Sequence, residues 1–260
     1  TSGILKPALK ADTNHKKLPP QSHYQHPDPL LRRLRLVDDK GHAINLKEFF
    51  DGVKIVAFYF SSQWAGQPLK EYHNTISEFA REHQREFKVI YVSVDVDEQW
   101  YKAGVKGQPW VSMVWNDGSS LPSPSTANST SPSAGTDDEP LPPLFNNENF
   151  LLAQEFDIDE SLSKTDTSGE AYLRPFSRVH LASKLNIIAA PTVCIYHIEK
   201  QKMLDWNVRM ARLHRDQRDE TWSRWKKGES AKSFGLSEAL ANSPGTVSLA
   251  IFVAVYWIIL

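Results

Sequence analysis

Residues 54–60 (KIVAFYF) form a continuous apolar run, which predicts a strand buried on both faces. A short polar bend, residues 61–64 (SSQW), follows, and Pro68 sits where a helix would open. From Pro68 to about residue 87 the apolar positions Leu69, Tyr72, Ile76, Phe79, Ala80 and His83 recur every three or four residues. This spacing predicts a helix with one buried face and with Lys70, Glu71, Glu78, Arg81 and Glu82 turned to water. Residues 88–96 (KVIYVSVDV) predict a second buried strand. Two parallel strands bridged by a helix are the core unit of an α/β sheet. Upstream, residues 30–38 (LLRRLRLVD) alternate apolar with arginine, the pattern of a half-buried edge strand, and Ile44, Leu46, Phe49 and Phe50 suit a short helix. Downstream the pattern predicts a short helix within residues 97–107 and an amphipathic helix on Phe176, Val179, Leu181, Ala182 and Leu185. A hairpin of residues 193–198 and 203–208 comes next, and a helix over residues 217–227 carrying Trp222 and Trp225 closes the domain.

The pattern also fails in places. Residues 1–29 have no apolar period and read as a flexible arm. Residues 117–143 are dominated by serine, threonine and proline, and the stretch to about residue 171 mixes acids with scattered apolar residues. The whole of 117–171 is expected to be a low-complexity, disordered insertion, because it offers too little apolar surface to offset chain entropy. Residues 228–245 read as a linker to an uncharged tail, residues 246–260 (TVSLAIFVAVYWIIL). At about 1.5 Å per residue that tail would span roughly 22 Å as a helix, against a hydrocarbon core of roughly 30 Å, so it suits the start of a transmembrane helix.

Composition narrows the chemistry. A net charge of −1 over 260 residues gives no reason to expect nucleic acid as a partner. The single cysteine, Cys194, excludes an intrachain disulfide and suits a reducing compartment, so the expected location is cytoplasmic, with membrane contact through the tail as a further option. No cofactor or metal is expected. His73 and His83 are ten residues apart and lack the helical spacing of metal ligands, Ser61 and Ser62 have no glycine-flanked nucleophile elbow, and no phosphate-binding glycine loop occurs.

The segment Phe-Ser-Ser-Gln-Trp-Ala-Gly-Gln-Pro (residues 60–68) resembles the active-site segment of the tryparedoxin and nucleoredoxin branch of the thioredoxin superfamily, where Cys-x-x-Cys follows the tryptophan. Pro109-Trp110 and Ala190-Pro191-Thr192 fall at that family's Pro-Trp and cis-proline positions. The resemblance implies a thioredoxin-like α/β fold over residues 30–116 and 172–227, a central mixed sheet flanked by helices. It also implies protein-disulfide reduction, but Ala65 and Pro68 occupy the cysteine positions. Neither the attacking thiolate nor the resolving thiol is then available. Residues 54–60 contain no Asp or Glu to act as a buried proton relay, and Cys194, alternating with apolar residues, reads as a small buried hydrophobe. The expectation is a redox-inactive binding or scaffold module whose groove, lined by Trp64, Trp110, Ala190 and Pro191, docks an extended peptide of a protein partner. The alternatives are that the two tryptophans merely cover the sheet end, or that the protein is a divergent thiol oxidoreductase using Cys194 or a partner's thiol.

Overall fold

The computed structural model describes residues 21–64, 67–120 and 149–231. Thus the apolar tail, most of the linker and the serine- and proline-rich part of the insertion lie outside the described residues. In chain order the elements are β1 (Leu36–Val37), α1 (Leu46–Phe49), β2 (Ile55–Ser61), α2 (Gln67–Glu82), β3 (Phe87–Ser93), α3 (Glu98–Val105) and β4 (Val111–Met113). They continue with α4 (Glu160–Thr165), α5 (Arg178–Lys184), β5 (Thr192–His197), β6 (Lys202–Asp205) and α6 (Arg215–Lys226).

The six strands among the described residues form a single sheet in the order β1-β4-β3-β2-β5-β6. β2 lies at its heart, parallel to β3 from Ile55↔Phe87 to Ser61↔Ser93 and antiparallel to β5 from Ile55↔His197 to Phe60↔Thr192. Every residue of β2 is buried because alternate side chains enter different cores. Val56, Phe58 and Phe60 pack with Ile90, Val92, Leu46, Leu181 and Leu185 on one face. Ile55, Ala57 and Tyr59 pack with Tyr91, Ile76, Phe79, Tyr101 and Trp225 on the other.

Local capping sets several helix starts. The Asn45 side chain accepts from the backbone N–H groups of Lys47 and Glu48 at α1, Asp97 accepts from Gln99 at α3, and Ser177 accepts from His180 at α5.

Beyond earlier ends of α2, β3 and β6 than the sequence pattern predicts, four stretches depart from the sequence reading in kind. Residues 30–38 are not one edge strand: Leu31–Arg33 form a 3-10 turn and only Leu36–Val37 pair, antiparallel to β4. Arg32, Arg33 and Arg35, expected on the wet face, are all buried. Their charges are met from elsewhere: Arg33 grips Asp157 with two parallel bonds of 2.6 and 2.8 Å, and Arg32 bonds Asp166 at 2.8 Å. The carboxylates belong to the second departure, since residues 149–171, assigned to the disordered insertion, are packed. Phe150 and Leu151 enter the core, and Leu151 donates its N–H to the Pro175 carbonyl at 2.8 Å. Third, the arm expected over 1–29 contains packed residues: Tyr24, His26 and Asp28 are buried, and Asp28 accepts the Tyr196 hydroxyl at 2.7 Å. Finally, the linker expected from residue 228 begins as part of the fold, because the Ala231 N–H donates to Asp205 at 2.8 Å.

Candidate functional site

Trp64, Ala190 and Pro191, three of the residues singled out on sequence, lie at one end of the sheet. β2 ends at Ser61 and runs into the bend, while β5 starts at Thr192, opposite Phe60, so Pro191 lies beside the bend. The Ala190–Pro191 peptide is cis. Ala190 is exposed and Pro191 half-buried. Trp64 is 71% exposed, and Ile188 in the loop before Pro191 is 98% exposed. Val94 and Val96, just past the end of β3, and Trp206, just past β6, expose apolar surface at the same end. Ala65 and the Pro68 side chain lie outside the described residues.

Beneath the bend the chain is held by two hooks. The Gln63 N–H donates to the Asp95 carboxylate at 2.9 Å, and the other Asp95 oxygen accepts the Ser93 hydroxyl at 2.8 Å. The Gln63 side-chain amide bonds Nε2 of His73, whose Nδ1 meets the Tyr59 hydroxyl at 2.5 Å. With the amide donating to Nε2, the neutral imidazole carries its proton on Nδ1 and gives it to the tyrosine oxygen. Burial lowers the His73 pKa to about 4, so the ring is neutral at ordinary pH. Burial likewise pushes the Tyr59 and Tyr91 hydroxyls far up, and both stay protonated. None of these groups is a base with an open path to a substrate, and the cluster supports the bend.

Trp110 is not part of the groove. It is 4% exposed and stacks on Tyr91, with ring centroids 6.0 Å apart. Its indole N–H donates to the Gly104 carbonyl at 3.1 Å. Nor is Cys194 at the surface: it is fully buried in β5 opposite Phe58, surrounded by the core. Of the four groove residues expected, Trp64, Ala190 and Pro191 lie at this end of the sheet, and Trp110 is buried in the core. The sequence reading missed Asp95, Gln63 and His73 as the supports of the bend. Gln63 was visible as the only long polar side chain among residues 61–64.

A parallel β2-α2-β3 unit, antiparallel β5 and β6 added on one side, and a cis proline facing the bend agree with one further observation. Residues 52–123 match the family model described as thioredoxin-like. The fold is thioredoxin-like. Solved structures similar to this thioredoxin-like chain include thioredoxin from Wuchereria bancrofti, at 14% identity and a TM-score of 0.41, over 75% of this chain and 96% of that one. They also include tryparedoxin I from Leishmania major, at 17% identity and a TM-score of 0.40, over 73% and 90% of the two chains. Tryparedoxin II from C. fasciculata has 14% identity and a TM-score of 0.44, over 75% and 96%. No curated protein matches the sequence at a significant level. Among the described residues no cluster of His, Cys, Asp and Glu could hold a metal ion, and no helix is long and apolar enough to cross a membrane.

Proposed function

We propose that this thioredoxin-like domain is a redox-inactive binding module that docks an extended peptide segment of a protein partner across the sheet end. The observation that carries the reading is an exposed apolar platform without a thiol: Trp64 and Ile188 project into solvent beside the cis Ala190–Pro191 peptide, while Ala65 and Pro68 stand where the resemblance places cysteines. Exposed large apolar groups gathered at one end of a domain are the usual mark of an interaction surface. An extended partner would draw affinity from main-chain hydrogen bonds and from side chains packed on Trp64. Cys194 offers no rival chemistry from its place in the core, since a thiol that water cannot reach is inert.

The test joins two measurements on the full chain. Selection of displayed random decapeptides should yield binders, and Trp64→Ala should weaken them about five- to thirtyfold, the range for a central aromatic anchor. In an insulin-reduction assay with a dithiol donor, the wild type and Cys194→Ser should both match the buffer blank. Reductase activity that disappears in Cys194→Ser would overturn the proposal, as would binders indifferent to Trp64→Ala.

A further inference from the structure

The charges around this sheet end are segregated by side. Its centre, residues 61–64 and 186–193, has no ionisable side chain. On the β3 side the chain leaves through Asp95, Asp97 and Glu98, all acids; Asp97 is exposed, and Glu98 pairs with Lys102 at 2.9 Å. On the β6 side it leaves through residues 206–214 (WNVRMARLH), which contain two arginines and a histidine but no acid. Two bonds fix this segment next to the bend. The Val208 N–H donates to the Val193 carbonyl at 3.0 Å, two residues beyond Pro191, and the Val208 carbonyl accepts the hydroxyl of Tyr72, on α2, at 3.2 Å. Arg209, the next residue, is exposed and makes no ion pair among the described residues. Trp206, 45% exposed, lies three residues before it. The nearby turns of α2 add one charge of each sign, Lys70 and Glu71, which leave the asymmetry unchanged.

We infer that the docked segment is an extended peptide with an apolar centre and carboxylates toward its β6 end, where Arg209 receives them. The inference rests on the docking reading and names the partner's chemistry. A free guanidinium at the rim of an apolar platform attracts carboxylates and repels lysine and arginine, and the exposed Asp97 on the β3 side disfavours the reverse orientation. Rim charges act chiefly on encounter and selectivity, so the preference should be modest and sensitive to salt.

The decapeptide selection tests this directly. Binders should be enriched in Asp and Glu flanking an apolar core. A selected acidic binder should lose about three- to tenfold in affinity at low salt when its acids become lysines, and this difference should collapse in 0.5 M salt (about a 4 Å Debye length). Arg209→Glu should reverse the preference, so that the lysine-bearing peptide binds better than its acidic counterpart. Binders that depend on Trp64 but show no charge preference, or that prefer lysine, overturn the inference and spare the docking reading. An Arg209→Glu variant that weakens acidic, basic and neutral binders alike also overturns it. A selection that yields no binder overturns both.

Discussion

At the scale of single residues, the absence of one side chain determines where Trp110 goes. Gly104 lies on α3 with its Cα against Tyr91, and a Cβ placed there would fall 2.6 Å from the Tyr91 hydroxyl oxygen. Because the glycine lets α3 approach, its carbonyl can accept the Trp110 indole N–H, and that ring stacks on Tyr91. Gly104→Ala should therefore destabilise the fold by about 1–3 kcal/mol despite the better helix propensity of alanine. Urea denaturation checks it, and an unchanged or raised midpoint would show that Tyr91 can move aside. The same contact explains why a groove role for Trp110 looked sound on sequence. A Pro-Trp pair at a strand start is visible there; a slot opened by a glycine six residues earlier is not. Trp64 was legible for the opposite reason, since residues 61–67 hold no other large apolar side chain.

At the scale of elements, arginine fastens residues 149–173 to the sheet. Arg33 holds Asp157 bidentately, donates Nε to the Arg174 carbonyl at 2.9 Å and lies over the Phe176 ring at 4.2 Å. Burial, the largest single influence, opposes ionisation of Asp157, but the hydrogen bonds and charge of Arg33, the Asp159 N–H and the charge of Lys184 together outweigh it and lower its pKa. The Ser168 hydroxyl first, then the Ala171 N–H and the charge of Arg32, hold Asp166 down to about 2. Arg33→Met should cost about 3–5 kcal/mol by stranding a carboxylate in an apolar setting, and Arg33→Met with Asp157→Leu should recover most of it. A double-mutant cycle in urea measures the difference; equal losses in the single and double variants would count against the pair. The alternating leucines and arginines of residues 30–36 imitate an amphipathic strand, and only partners more than 120 residues away reveal that the arginines face inward. By contrast the β2-α2-β3 unit depends on near neighbours and a clear period, and its order and starts were legible to within a residue, although α2 stops at Glu82 and β3 at Ser93, short of the residues 87 and 96 expected.

For the molecule as a whole, acid should act in two stages. Burial lowers both His26 and His73 from 6.5 to about 4, so the unfolded chain takes up these protons first. Their contribution is complete above pH 6.5 and falls away as the pH drops toward 4, by about 1–3 kcal/mol each. Below that, the lowered carboxyl of Asp166 loses its contribution as the pH falls from 3.8 toward 2, and the lowered carboxyl of Asp157 likewise loses its contribution below 3.8. Asp28 acts in the opposite sense, because burial raises its pKa and its protonation favours the fold. Thermal midpoints should start to decline near pH 6.5, and His73→Gln should flatten the slope between pH 6.5 and 4 whatever its effect at neutral pH. A midpoint flat down to pH 4 would contradict this assignment.

The start of α5 gathers both flanks of residues 121–148. Ser119 and Ser120 accept hydrogen bonds from Val179 and Arg178 at 3.2 and 2.9 Å, and the Leu152 carbonyl bonds His180 at 2.9 Å. Chain leaving from Ser120 and returning at Asn149 therefore comes back to the same few residues. It is a graft point: replacing these 28 residues with about eight glycines and serines should keep the fold and add roughly 1 kcal/mol from the smaller closure entropy. Loss of cooperative unfolding in the shortened chain would show that the excised residues hold the two flanks together.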